Sequence, residues 1–342
     1  MTLPSTPITP SRDLRILSEA DAGALLDFRE AIALVEAGFV EVARQRYQAF
    51  PVVRQPLASP VTGIFGVKAG YLPDQALLGL KAGGYWRENR EHAISPHQST
   101  MLLFEPETGR AVAVVAANAI TGYRTGAMGA LSVRHLARPH AARIGVIGCG
   151  TQGRMQIRAL LASGHAVERI AVWDHHRANA ERLVADLDAS GACGGVPVVV
   201  ADDAKTLVRE SEVVITATSG NGIVVRAEWV QPGTHIAAIG SDTAGKQEID
   251  AALLTCDRTR VVADNRAQSA TLGEVQHAGP TLDREAIPEL GEIIAGLQPG
   301  RTDADQVTLF DATGVTFQDL VVAGHLVARA EAAGVGTVVR LG

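Results

Sequence analysis

Cysteine is scarce in this 342-residue chain. Cys149, Cys193 and Cys256 are an odd number and lie far apart. They offer neither a disulfide framework nor the paired spacing of a metal site, which argues against a disulfide scaffold or structural metal and for a reducing cytoplasm. Positive charge is also short. Lys and Arg together number 31 against 37 for Asp and Glu, a formal net charge of −6, and no basic cluster overrides the balance. A nucleic-acid surface is therefore not expected. No apolar run nears the ~18 residues that would suggest a membrane span. The opening MTLPSTPITPSRD is rich in Pro and Thr and has no apolar signal core, so it reads as a frayed tail. Internal repeats and low-complexity segments are missing as well. What remains is a globular chain long enough for two domains.

The strongest positive signal lies at Arg143–Gln156, RIGVIGCGTQGRMQ. A short apolar run, Ile144 to Ile147, enters Gly148-Cys149-Gly150-Thr151-Gln152-Gly153, and Met155, Ile157, Leu160 and Leu161 follow at helical spacing. A G-x-G-x-x-G between strand and helix is the dinucleotide fingerprint. Gly148 allows the tight turn, Gly150 lets the backbone approach a pyrophosphate, and Gly153 lets the helix pack on the strand. The next predicted strand, Arg169 to Trp173, ends in Asp174, where an acid meets the ribose hydroxyls of NAD. His175, His176 and Arg177 follow it, which leaves room for some use of NADP.

Elsewhere the pattern divides in two. Ser18 reads as a helix cap, and Ile32, Val35, Phe39 and Val42 place a helix over Phe28 to Arg44. From Pro51 to Val115 short apolar runs (Ile64 to Val67, Leu77 to Leu80, Met101 to Phe104, Ala111 to Val115) are split by Gly, Pro and Asn. Pro106-Glu107-Thr108-Gly109 has the composition of a hairpin turn. A mostly antiparallel sheet is expected there. A helix of small residues, Thr125 to Leu136, leads to alternating strands and helices. The strands are Ile144 to Ile147, Ile170 to Trp173, Val198 to Val200, Val213 to Thr216, His235 to Ile239 and Val261 to Ala263. This alternation predicts an α/β fold with a Rossmann-type, doubly wound parallel sheet. A last helix, Phe317 to Ala332, follows Thr313-Gly314 and is expected to return to the first domain. The expected division is 1–124 with 314–342 as a discontinuous α+β domain, and 125–313 as the dinucleotide-binding domain.

Several segments occur in an order that resembles one family. They are Leu80-Lys81-Ala82-Gly83-Gly84, Glu107-Thr108-Gly109, Thr121-Gly122-Tyr123-Arg124-Thr125-Gly126-Ala127, the Gly148 fingerprint, Gly240-Ser241-Asp242 with Gly245-Lys246-Gln247-Glu248-Ile249-Asp250, and Thr313-Gly314 with Gln318-Asp319-Leu320. Together they resemble the ornithine cyclodeaminase/mu-crystallin family over nearly the whole chain. The stretch from Pro51-Val52-Val53-Arg54 through Lys81-Ala82-Gly83-Gly84-Tyr85-Trp86, Asn89 and His92 to His97-Gln98-Ser99-Thr100 is most similar to the iminosuccinate reductases within it.

The resemblance implies a homodimer in amino-acid metabolism that uses NAD(H) for hydride transfer at an amino-acid α-carbon through an imine. It assigns Arg54 and Lys81 to the substrate carboxylate, Asp242 to acid–base work with Lys81, and Arg124, Thr125, Thr151, Gln152, Thr216, Thr218, Lys246 and Thr313 to the cofactor, with Arg124 also near the substrate. Arginine suits a bidentate grip on a carboxylate, and lysine brings a point charge that can donate a proton. The competing readings are a surface arginine for Arg54, a snorkelling lysine for Lys81 and a turn aspartate for Asp242. His92 and His97 read first as loop or core histidines. The sharper reading of His92 and His97, together with Lys68, is recognition of a second carboxylate. The expected reaction is reduction of iminosuccinate to L-aspartate. Ornithine cyclodeaminase, alanine dehydrogenase and a crystallin-like binding protein are the alternatives. The crystallin branch carries a non-acidic residue at the position of Asp242, so Asp242 with Lys81 favours an enzyme.

Overall fold

The computed structural model describes residues 13–220 and 222–341. The Pro/Thr-rich tail read at the N-terminus lies outside them up to residue 12. The chain divides into two compact units, one of Met1–Arg124 with Val315–Gly342 and one of Thr125–Gly314.

In chain order the elements begin with β1 (Asp13–Leu17), α1 (Glu19–Leu25), α2 (Phe28–Ala43), β2 (Gln48–Ala49), β3 (Val53–Pro56), β4 (Ile64–Leu72), β5 (Leu77–Tyr85), β6 (His97–Phe104) and β7 (Ala111–Ala116). Helix α3 (Asn118–Leu136) contains the boundary between the units. The second unit continues with β8 (Arg143–Ile147), α4 (Thr151–Ala162), β9 (Arg169–Trp173), α5 (Arg177–Ala189), β10 (Val198–Val200), α6 (Ala204–Glu210), β11 (Val213–Thr216) and β12 (His235–Ala238). It closes with β13 (Thr259–Ala263), α7 (Arg266–Leu272), α8 (Leu290–Ile294) and β14 (Val307–Asp311). The chain returns to the first unit as α9 (Thr316–Ala332) and β15 (Thr337–Arg340).

The first unit is built on a sheet of order β15-β1-β7-β6-β5-β4-β2, with β3 also paired to β4. From β4 to β7 it is antiparallel, and the β6–β7 hairpin closes where Gly109 takes φ +71°. Ser18 caps α1 in a reciprocal box with Asp21. Helix α2 buries Ile32, Val35 and Phe39, and Phe39 meets Phe317 edge-on at 4.9 Å. Helix α9 packs on β4 and β5 and is buried along most of its length. Two glycines set that approach. A Cβ on Gly324 would stand 2.5 Å from Leu77 Cδ2, and one on Gly79 would stand 2.7 Å from the Leu102 carbonyl oxygen and 3.0 Å from a Leu320 methyl.

The second unit is a seven-stranded parallel sheet of order β10-β9-β8-β11-β12-β14-β13. Strand order reverses between β8 and β11, so the ligand crevice of a doubly wound sheet falls at their carboxyl ends.

Four features differ from the sequence expectation. Helix α3 starts at Asn118 rather than Thr125, because the Glu19 carboxylate accepts hydrogen bonds from the Asn118 and Ala119 amides, at 2.7 and 3.0 Å. Strand β5 runs through Lys81 to Tyr85, where a break after Leu80 was expected. Strand β14 was not anticipated and lies between β12 and β13. The terminal strands β1 and β15 were also missed; they pair with each other at the sheet edge.

Candidate active site

The glycine loop follows the buried strand β8. Gly148 takes φ +101°, a conformation L side chains avoid, and its amide donates to the Trp173 carbonyl at 2.9 Å. A Cβ on Gly153 would stand 2.0 Å from the Gly148 carbonyl oxygen, so only glycine lets α4 start this close to the loop. Gly150 is the N-cap of α4. It accepts no side-chain cap, and open space lies where its Cβ would be. Thr151 and Gln152 open the helix. Helix amides left this way form an anion site.

Asp174, just beyond β9, ties the loop down. Its Oδ2 accepts from the Cys149 amide at 2.9 Å, and its Oδ1 accepts from the His176 amide at 2.9 Å and from Asn179 at 3.0 Å. Burial presses this carboxyl upward, but the hydrogen bonds outweigh it and hold the group below its ordinary value.

The basic residues of the first unit fall into a register. Arg54 pairs with Gly66, Gly66 with Gly83, and Gly83 with Ser99; one pleat further, Lys68 pairs with Lys81 and Lys81 with Met101. Tyr85 pairs with His97. Residues directly opposite each other, and residues two apart along a strand, point to one face. Arg54, Lys68, Lys81 and His97 therefore share a face of the sheet, with Gly66, Gly83 and Ser99 leaving little bulk between them.

On that face Lys81, only 9% exposed, donates from Nζ to Asp319 Oδ1 at 2.8 Å and to Thr121 Oγ1 at 3.3 Å. Arg124 donates from Nε to the same Asp319 oxygen at 3.2 Å and from a terminal nitrogen to Gln318 Oε1 at 3.2 Å. Burial lowers the Lys81 pKa to about 8, with Asp319 opposing the shift and Arg124 and Lys68 adding to it. Asp319 moves the other way: burial would raise its pKa, but Lys81 and Arg124 hold it below the usual carboxylate value. His97 Nδ1 lies 3.2 Å from Asn118 Oδ1, which also accepts from the Ser99 amide. His92 stands apart, exposed on the short helical turn Arg87–His92.

In the second unit Asp242 follows β12 and remains partly open, with a side-chain exposure of 41%. Thr243 donates to its Oδ1 at 3.2 Å, and Lys246 Nζ lies 3.8 Å from it while donating to the Gly240 carbonyl. Thr216 faces inward. It is fully buried and donates to Glu248 at 2.8 Å, so its hydroxyl supports the strand end rather than presenting itself to a ligand. Glu248 also accepts from the Thr218 amide at 2.6 Å and the Gly240 amide at 2.8 Å. Thr313 likewise donates its hydroxyl to Asp264 at 2.8 Å. Thr125 Oγ1 and Gln152 Oε1 are buried with no hydrogen-bond partner among the described residues.

Sequence reasoning passed over Asp319 and Glu248 as site residues. For Asp319 the available signal was a carboxylate inside an otherwise apolar helical pattern, since acids are almost never buried unless paired or hydrogen-bonded; Glu248, set among Lys246, Gln247 and Asp250, gave no such signal.

Comparison with known proteins agrees with this geometry. The sequence model of the ornithine cyclodeaminase/mu-crystallin family matches residues 12–334. The chain belongs to that family. Among family members, the iminosuccinate reductase of Paracoccus denitrificans is 40% identical over 328 residues, covering 95% of this chain and 99% of the relative. The crystal structure of the iminosuccinate reductase of the same organism in complex with NAD+ superposes with a TM-score of 0.87 at 38% identity, covering 96% of this chain and 100% of that one. An archaeal alanine dehydrogenase dimer with bound NAD gives a TM-score of 0.88 at 31% identity, with the same coverage.

Proposed function

We propose that this chain is an NADH-dependent imine reductase that converts iminosuccinate to L-aspartate. The observation that carries the reading is the shared sheet face of Arg54, Lys68, Lys81 and His97, with Arg124 joined to Lys81 through Asp319. One α-carboxylate does not need so many basic groups. Two carboxylates do, because each anion withdrawn from water must be paired to offset its desolvation. The iminosuccinate reductase relative supports the same substrate.

The second unit fits a nicotinamide dinucleotide: Gly148 and Gly153 form the tight loop, and the uncapped start of α4 faces open space at Gly150. When bound, the dinucleotide supplies a hydride to the imine carbon. The amides at Thr151 and Gln152 would hold the pyrophosphate, and Asp174, with both sites of Oδ1 and one of Oδ2 already filled, would accept from one ribose hydroxyl through Oδ2. Arg54, Lys81 and Arg124 hold the α-carboxylate. Lys68 and His97 hold the second carboxylate. Asp242 serves as the acid–base group through which a proton reaches the imine nitrogen as the C=N bond becomes a single bond. One hydride at carbon and one proton at nitrogen complete the amine.

The opposite face of the same sheet exposes Val53 and Phe65, at 56% and 41%, beside exposed Val52 and Leu57. We assign this face to a second copy, making the protein a homodimer. Its free cysteines suit a cytoplasmic location.

The test is NADH oxidation with ammonia and oxaloacetate, pyruvate or 2-oxoglutarate, beside L-ornithine with NAD. Highest kcat/KM with oxaloacetate and ammonia is expected. A pyruvate preference would make the enzyme an alanine dehydrogenase. Faster proline formation from ornithine would overturn the reading, since a cation-rich face repels a side-chain ammonium.

A further inference from the structure

We propose that Asp319 is a positioning residue of the reaction, holding the Lys81 ammonium and the Arg124 guanidinium together on one carboxylate oxygen so that both meet the substrate carboxylate as a fixed pair. The inference rests on Lys81 and Arg124 handling the substrate. Asp319 comes from α9, Lys81 from β5 and Arg124 from α3, so one atom joins three elements.

The geometry is one-sided. Oδ1 accepts both cations, at 2.8 and 3.2 Å, while Oδ2 is buried without a hydrogen-bond partner among the described residues. A carboxylate placed only for packing would gain most by dividing its two oxygens between two donors. Here the donors converge, which brings the two cations to one point instead of spreading them. The charges act in one direction. Lys81, Arg124 and Lys68 each favour the ionised form of Asp319.

Asp319 also sets the protonation of its partner. Burial, Arg124 and Lys68 all press the Lys81 pKa down, and Asp319 is the group that opposes them. Tyr47, whose ionisation also senses Asp319, has its hydroxyl pushed up to about 12 by burial and stays neutral below that.

The experiment compares Asp319→Asn with wild type at each pH, taking the ratio of kcat/KM so that the pH dependence of imine formation cancels. Three results are expected for Asp319→Asn. NADH affinity is unchanged by fluorescence titration. kcat/KM falls about 100-fold, the scale of an ångström of misplacement. The alkaline limb moves to lower pH because Lys81 has lost its counter-charge. Asp319→Glu keeps the charge and guards against a neutral variant that does not fold. It should leave the alkaline limb near its wild-type position while kcat/KM still falls, since the carboxylate has moved by one methylene. A folded Asp319→Asn with wild-type kcat/KM and an unmoved limb overturns the inference, as does an Asp319→Glu with wild-type kcat/KM. Lys81→Ala separates the two levels. If it stays active, the substrate role of Lys81 is wrong. If it is inactive while the Asp319 variants behave as wild type, only the inference is wrong.

Discussion

Burial acts on Lys81 and Asp319 in opposite senses, and the hydrogen bond between them keeps both charged near neutral pH. Lys81→Ala removes a cation from the substrate side only, and Asp242→Asn removes a proton donor only. Each is expected to lower turnover by ~10²–10⁴-fold while NADH still binds; stopped-flow turnover beside a fluorescence titration checks the split. Asp174 acts at the other end of the chemistry. A 2′-phosphate would face a carboxylate already fixed by three hydrogen bonds. NADH should therefore exceed NADPH in kcat/KM by roughly tenfold to a few hundredfold, corresponding to about 1–3 kcal/mol. Equal values would remove the argument. Gly148, Gly153 and Asp174 were legible from the sequence because backbone geometry restricts their identities. Asp319 was not: an acid in a helix reads as solvent-facing until the strand it meets, more than two hundred residues earlier in the chain, is known.

At the scale of elements, α9 lies against β5 because Gly324 and Gly79 carry no side chain. Gly324→Val should force Leu77 and the helix apart, destabilising the protein by about 1–3 kcal/mol. A lower urea midpoint together with reduced kcat/KM is the expected pair of results.

The strand ends of the second unit supply a different prediction. Glu274 and Asp311 are buried, and burial raises their pKa values to about 8 and about 7. Between roughly pH 4 and pH 8 the folded unit thus holds protons that the unfolded chain has released. Their contribution to stability falls as pH rises through that window. Glu274→Gln should become more favourable relative to wild type from pH 5.5 to pH 8.5, read from urea midpoints at both.

Strand alternation was legible where apolar runs stood between turn residues, as at β8, β9, β10 and β11. Strand β14 was missed because its pairing between β12 and β13 is non-local. The start of α3 was missed because Gly122 and neighbouring small residues weaken the helical pattern, while the carboxylate that holds its first amides comes from Glu19.

At the scale of the whole molecule, the first unit is discontinuous in sequence and the second is contiguous. A ribosome delivers the chain from one end, at ~5–20 residues per second. Strands β1 to β7 of the first unit emerge early, yet α9, which covers them and carries Asp319, emerges near the end, followed only by the edge strand β15. Thr125–Gly314 can fold while that sheet still waits for its covering helix. The cation pair is therefore assembled at the close of synthesis, after the nucleotide fold stands. A chain stopped after Gly314 should still bind NADH, fail to turn over any imine, and expose its first sheet to early proteolysis. A nascent chain would acquire the means to hold its cofactor before it acquires the means to use it.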